Sequence, residues 1–104
     1  MKADDIQNRS QFSEEKSERR FATIKIVGNI ARSASGKRLD SLRIDVPTKL
    51  GSLFETLSGV YGLDIRREST LVLVNGVEAN ALEDLETIVQ EGDEVFFVPM
   101  IHGG

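Results

Sequence analysis

Two short segments in the first half of the chain alternate between apolar and polar residues. These segments are FATIKIVG, which begins at Phe21, and LRIDV, which begins at Leu42. The apolar positions of the two alternations are Ala22, Ile24, Ile26, Leu42, Ile44 and Val46. Because successive side chains of a strand point to opposite faces, both segments are predicted to be strands with one buried face. The intervening SASGKR has the Ser and Gly residues typical of a turn, which indicates a hairpin.

A helix is predicted directly after the second strand. Pro47 ends that strand because it has no backbone N–H, and Thr48 is a suitable N-cap residue. The apolar residues of the predicted helix recur at helical spacing and form one stripe: Leu50, Leu53, Phe54, Leu57 and Val60. Either Gly59 or Gly62 can end the helix, since glycine is the residue most common at helix C-termini.

Three more strands are predicted in the second half of the chain. The run TLVLV is the first, and Asn75-Gly76 makes a tight turn into a short returning strand. The connection that follows contains a helical turn, and three of its apolar residues are expected to lie beneath the sheet: Leu82, Leu85 and Ile88. Gly92-Asp93 then turns the chain into EVFFVP, the last strand. Since residues 95–98 are all apolar, this strand is expected to be buried on both faces in the middle of the sheet.

The order of two strands, one helix and three strands predicts an α+β protein with the β-grasp architecture. In this architecture a mixed sheet packs on one main helix, and the last strand lies in the middle of the sheet. Residues 21–98 form the predicted domain. Residues 1–20 are polar, with Ile6 and Phe12 as nearly their only large apolar groups, and are expected to be a disordered arm. Residues 99–104 are expected to be a flexible tail that reaches roughly 20 Å when extended.

Composition narrows the chemistry that the chain can perform. The sequence has 104 residues, a net charge of -4 and no cysteine, which excludes disulfides, thiolate metal sites and a cysteine nucleophile. No nucleophile–base set, phosphate-binding loop or metal-ligand spacing is present, so neither catalytic residues nor metal ligands are predicted. Without a signal peptide or a membrane-spanning run, the chain is expected to be a cytoplasmic monomer that binds neither nucleic acid nor membrane.

The charged residues are distributed unevenly along the chain. No Lys or Arg follows Arg67, whereas eight acidic residues do: Glu68, Glu78, Glu83, Asp84, Glu86, Glu91, Asp93 and Glu94. One interpretation is an ordinary solvated surface. The other is an acidic rim that steers a basic partner toward the C-terminal tail.

The last fourteen residues, EGDEVFFVPMIHGG, resemble the C-terminal segments of the MoaD and ThiS sulfur carriers and of the ubiquitin-related modifiers. Those families combine a Gly-Asp turn, an apolar strand, a proline-containing tail and a final Gly-Gly. The VNG segment at residues 74–76 also resembles the MoaD-type hairpin, and the small archaeal modifier proteins are similar to the whole of residues 21–104. One departure is Met100, which stands where MoaD-type tails often have a second proline.

This resemblance implies a ubiquitin-like β-grasp carrier that is the substrate of an enzyme and is not itself one. A ubiquitin-activating-type enzyme would use ATP to adenylate the carboxylate of Gly104, next to Gly103, and the carrier itself would bind no cofactor. The activated carbonyl would then yield a thiocarboxylate for molybdopterin or tRNA thiolation, a conjugate with lysines of target proteins, or both. The residues expected to contact a partner are Phe97, Pro99, Met100, Ile101 and His102. For Phe97, ordinary packing in the core is the alternative interpretation.

Two alternatives remain open at this point. The chain is either a non-covalent β-grasp binding module with an inert end, or the small subunit of a molybdopterin synthase whose large subunit receives the tail.

Overall fold

The computed structural model describes residues 19–100. Its elements are β1 (Phe21–Ile26), β2 (Ser41–Asp45), β3 (Thr48–Lys49), α1 (Leu50–Gly59), β4 (Thr70–Val74), β5 (Val77–Glu78), β6 (Ile88–Val89) and β7 (Glu94–Pro99). Short 3-10 turns at Gly28–Ala31, Arg67–Ser69, Ala79–Ala81 and Asp84–Glu86 connect several of them. The predicted arm, apart from Arg19 and Arg20, and the residues after Met100 lie outside the described part.

Five strands form one mixed sheet in the order β2-β1-β7-β4-β5. The last strand lies at the centre, where β7 runs parallel to β1 and antiparallel to β4. β1–β2 and β4–β5 are antiparallel pairs, so the predicted hairpins are confirmed. A second, two-stranded sheet joins β3 to β6. The mixed sheet with one main helix is the ubiquitin-like β-grasp architecture, as predicted.

One face of the large sheet packs against α1. The inward residues of β1 are Ala22, Ile24 and Ile26, as the alternation predicts, and Leu50, Leu53 and Leu57 of the helix are fully buried against the sheet. Leu63 and Ile65, which follow the helix, complete the core. Val60 does not belong to the apolar stripe, because it is 74% exposed and lies just beyond the end of the helix at Gly59.

The start of α1 differs from its prediction. Thr48 lies in β3, the N-cap residue is Lys49, and no side chain caps the helix. Instead, the first helical N–H, at Leu50, donates to the backbone carbonyl of Thr87 at 2.8 Å. The ammonium of Lys49 also contacts Glu86 at 2.9 Å, and this hydrogen bond, with the attraction of the two charges, raises the pKa of Lys49. The segment that precedes β6 therefore takes over the role predicted for Thr48.

The connection before β7 buries a different set of residues from the predicted one. Leu82 and Ile88 are each 42% exposed and Leu85 is half-buried, so the prediction that all three lie beneath the sheet is wrong. Thr87 and Val89 are buried instead. The reason is that residues 88–89 form strand β6, in which the alternation of a strand, and not helical spacing, decides which side chain points inward.

The tight turn at Asn75-Gly76 is confirmed. Both residues have positive φ, 52° and 83°, which is the conformation that a type I′ hairpin turn requires. Within residues 19–100, no helix is both long enough and apolar enough to cross a bilayer.

Candidate functional site

The central strand holds the chain as far as Met100. Pro99 is the last residue of β7 and lies opposite Thr70, so the strand extends one residue beyond the predicted domain boundary at 98. Met100 then donates its backbone N–H to the carbonyl of Ser69 at 3.0 Å. Proline has no backbone N–H, but pairing with β4 continues through Pro99 because the backbone groups of a strand alternate in direction. The N–H that faces β4 is that of Met100. We call Pro99 and Met100 the tail root.

The tail root is also contacted from the β1 side of β7, opposite to the β4 side. Gly28, in the turn that follows β1, has a φ of +79°, and a Cβ atom placed on it would lie 3.0 Å from Cγ of Pro99. The backbone N–H of Val27 donates to the carbonyl of Phe97 at 3.0 Å, which fixes the same turn to β7. A glycine at position 28 therefore allows the close approach of the proline ring.

Phe97 is a core residue, so its predicted contact with a partner is wrong. Its side chain is 0% exposed. The ring meets that of Phe54 edge-on, with the centroids 5.3 Å apart and an interplanar angle of 82°. Val95 is fully buried beside it on the same face of β7. Both residues fix the sheet to the helix and leave no surface for a partner.

The opposite face of β7 carries the exposed apolar surface of the sheet. Phe96 and Val98 alternate with the buried residues and are only half-buried, so the expectation of a strand buried on both faces is wrong. In the register of the sheet, Val98 lies opposite Leu71 and Phe96 lies opposite Leu73, and both leucines are also half-buried. We call these four residues the outer stripe. It leads along β7 directly to the tail root.

Cationic side chains lie beside the outer stripe on β1 and β2. Lys25 lies opposite Phe96 in the parallel pair. The guanidinium of Arg43 lies 4.6 Å from the centre of the Phe21 ring and that of Arg19 lies 5.8 Å from it, within the range of cation–π contacts. Arg19, which precedes β1, also makes an ion pair with Asp45 of β2. This side of the sheet is therefore apolar along its centre, and the three cations outnumber Asp45 toward the β2 edge.

A polar clamp fixes the start of β7 to the β4–β5 hairpin. The side-chain amide of Asn75 donates to Asp93 at 2.9 Å, and its carbonyl oxygen accepts the backbone N–H of Glu94 at 2.9 Å. The other carboxylate oxygen of Asp93 accepts the N–H of Gln90 at 2.8 Å. These contacts join the VNG and EGDE segments that carry the resemblance noted in the sequence. The clamp sets the register in which β7 runs toward the tail.

The structure thus places the predicted site residues in three groups. Phe97 is buried, whereas Pro99 and Met100 form the tail root, with Met100 40% exposed. Ile101, His102, Gly103 and Gly104 lie outside the described residues. The outer stripe was not predicted, because residues 95–98 are all apolar and the sequence contains no signal that assigns Phe96 and Val98 to the outer face.

Comparison with known proteins agrees with this geometry. A model of the ThiS family matches residues 24–104, which is most of the chain. The chain belongs to the ThiS family. Members of this family are small ubiquitin-like carriers and not catalysts. No curated protein sequence matches the chain significantly.

Solved structures of ubiquitin-like proteins are similar to this ThiS-family chain. Urm1 from Trypanosoma brucei is 25% identical with a TM-score of 0.59, and the match covers 84% of this chain and 98% of the Urm1 chain. The small archaeal modifier protein 1 from Methanosarcina acetivorans is 22% identical with a TM-score of 0.61, and the match covers 84% of this chain and 99% of that protein. SAMP1 from Haloferax volcanii is 23% identical with a TM-score of 0.60, and the match covers 81% of this chain and 99% of that protein. The two archaeal structures support the fold.

Proposed function

We propose that this ThiS-family chain carries an activated acyl group at the carboxylate of Gly104. A ubiquitin-activating-type enzyme binds ATP, and an oxygen of the carboxylate attacks the α-phosphorus. Pyrophosphate leaves, and an acyl-adenylate forms. Attack of sulfide on the carbonyl carbon then expels AMP and gives a thiocarboxylate. Alternatively, attack of a lysine amine on the same carbon expels AMP and, with loss of a proton from the amine, gives an amide with a target protein. A free carboxylate needs this activation because it is ionised and a poor electrophile at neutral pH.

The observation that carries this proposal is the construction of the tail root. β7 is the central strand of the sheet, and the bond from Met100 to Ser69 holds its end in place. The Gly103-Gly104 end follows after only two further residues. Glycine has no side chain, so an enzyme pocket can enclose the backbone closely around the reacting carbonyl. A rigid body next to a narrow C-terminal end suits delivery of that end into another protein.

The outer stripe supports the same proposal as the surface that docks on the activating enzyme. It consists of half-buried apolar side chains on the face of the sheet opposite to that of the buried residues Val95 and Phe97. It also lies on the strand that leads to the tail, because Val98 directly precedes the tail root. Removal of an apolar side chain from this stripe is therefore expected to weaken docking and leave the chemistry of the carboxylate unchanged.

The proposed function is tested by incubating the full chain with an activating-type enzyme, ATP and sulfide, followed by intact mass measurement. We expect a gain equal to the exchange of one oxygen for one sulfur. Replacement of Gly104 by tryptophan should abolish this gain. Gly59→Ala is the matched control, because Gly59 has no neighbouring atom within 4 Å of an added Cβ. Normal charging of Gly104→Trp would refute the role of the terminal carboxylate.

The same assay separates the two uses of the activated end and the alternatives. Sulfur delivery yields the oxygen-to-sulfur exchange, whereas conjugation yields adducts on lysines of added target proteins. Phe96→Ala should raise the KM for the carrier with little effect on kcat, because it removes a docking contact that the ground state and the transition state share. A binding module with an inert end would show neither mass change. A molybdopterin synthase subunit would form a stable complex with a large subunit that encloses the tail.

A further inference from the structure

A groove of about 240 Å³ lies beside Met100, between α1, the start of β4 and the turns around Ala79 and Asp84. Its apolar lining includes Leu50, Phe54, Val72 and Ala79, whereas charged side chains stand at its rim. The groove is separate from the outer stripe except at Leu71, which belongs to both. It plays no part in the tail chemistry proposed above.

The groove follows a part of β4 that has no neighbouring strand. In the pair with β7, the carbonyl of Ser69 and the N–H of Asn75 point toward β7. Since backbone groups alternate along a strand, those of Thr70 and Val72 point toward the opposite edge. β5 covers that edge only beside Leu73 and Val74. The carbonyl of Thr70 and the N–H of Val72 thus face the groove, in the arrangement that an added extended segment can bind.

The rim of the groove has a net negative charge. Among the described residues, the only cation that lines the groove is Arg67, which is neutralised by an ion pair with Asp84, another lining residue. Glu68 and Glu78 also line the groove, and both are exposed. Within residues 19–100, neither of these two carboxylates makes an ion pair. They leave two unneutralised negative charges beside an apolar channel.

A buried hydroxyl in the wall of the groove also lacks a partner. Thr70 is 6% exposed, and among the described residues its Oγ1 is the buried side-chain atom without a hydrogen bond. An unsatisfied buried polar group costs about 1–3 kcal/mol, and such groups are uncommon in folded proteins. Thr70 thus contributes both this hydroxyl and an outward-facing carbonyl at the same place.

We propose that this groove binds a short extended segment of a partner protein that carries a lysine or arginine. The open backbone groups of β4 would receive the extended segment, and Glu68 and Glu78 would receive the cation. The volume is below the range of roughly 300–1,000 Å³ that is usual for small-molecule pockets, which favours a peptide side chain as the occupant. The terminal carboxylate of this chain's own tail is disfavoured, because it would lie beside the same two negative charges.

The test selects a displayed library of random linear peptides on the full chain. We expect enrichment of peptides that alternate apolar residues and contain Lys or Arg. The amide chemical shifts of the labelled full chain should then respond to a selected peptide most strongly at Leu71, Val72 and Ala79. Selection of acidic peptides, recovery of no binder, or shift changes centred elsewhere would overturn the proposal.

Charge variants of the full chain sharpen this test. Glu68→Gln and Glu78→Gln should each weaken binding of the selected peptide by about two- to five-fold at low salt, as expected for exposed ion pairs. Glu91→Gln is the matched control, because Glu91 is an exposed acid outside the groove that pairs with Arg20. Equal effects of all three substitutions would show only a general charge effect and would refute a site at the groove.

The chain's own tail is the competing occupant of the groove. Amide signals of the chain measured without peptide distinguish it from a partner segment. If the tail filled the groove, Glu78→Gln would shift the amide signals of His102, Gly103 and Gly104 in the absence of any peptide. We expect those signals to stay unchanged. A clear shift would assign the groove to the chain's own tail and overturn the proposal.

Discussion

Replacement of Phe97 by alanine, compared with the same replacement at Phe96, tests the orientation of the central strand. The two residues are neighbours of the same type, yet Phe97 is 0% exposed and packs edge-on against Phe54, whereas Phe96 is half-buried on the outer face. Phe97→Ala leaves a cavity in the core. Substitutions of this kind lower the free energy of unfolding by about 3–5 kcal/mol.

The effect at Phe96 should be much smaller. Full burial of a phenylalanine side chain contributes about 1.5–3 kcal/mol, so truncation of a half-buried ring on an open face should cost about 1 kcal/mol. Since a domain of this size is stable by about 5–15 kcal/mol, Phe97→Ala removes a large part of the total and Phe96→Ala a small one. The expected difference between the variants is therefore several times the error of a denaturation measurement.

Urea unfolding followed by far-ultraviolet circular dichroism measures both variants. With an m-value of roughly 1.5 kcal/mol per molar urea, Phe97→Ala should lower the midpoint by about 2–3 M and Phe96→Ala by less than about 1 M. Phe97→Leu keeps most of the buried volume and should lie between them. Equal losses at positions 96 and 97, or a larger loss at position 96, would mean that the strand faces the other way.

Two further predictions concern the contacts that hold β7 in place. In a double-mutant cycle, Asn75→Ala and Asp93→Ala should show a coupling energy of about 1 kcal/mol, because their side chains are hydrogen-bonded; additive losses would contradict the clamp. Gly28→Ala should destabilise the protein more than Gly36→Ala in urea unfolding. Both glycines have positive φ, but only at Gly28 would an added Cβ lie within 4 Å of another residue, Pro99. Equal losses of stability in the two variants would contradict the close approach of Gly28 to Pro99.

The sequence was sufficient for the fold because most elements have one buried face. Residues 22–26 alternate strictly, and Leu50, Leu53 and Leu57 recur at helical spacing, so each pattern shows both the element and its inner face. In β7 the pattern fails, since residues 95–98 are all apolar and nothing in their order says which of them point inward. The register with β1 and β4 decides that question, and register is a long-range property.

The start of α1 and the groove were not predicted for a similar reason, because both depend on contacts between distant parts of the chain. The start of α1 depends on the carbonyl of Thr87, which lies nearly forty residues further along the chain, so no local signal near Thr48 identifies it. The groove is assembled from the helix, the start of β4 and two later turns, and its charge depends on the pairing of Arg67 with Asp84. An acidic rim was one interpretation of the sequence, but only the fold shows which carboxylates remain unpaired.

If the function proposed above is correct, the tail root limits how a partner can use the C-terminal end. Met100 is bonded to Ser69, and the four residues from Ile101 to Gly104 would span at most about 14 Å if they were extended. This is shorter than the roughly 20 Å expected for a tail that begins at Pro99. While that bond is intact, the activating enzyme proposed above must place its reacting atoms within this distance of Met100. Its surface must then contact the residues around the tail root, where the outer stripe and the groove both end.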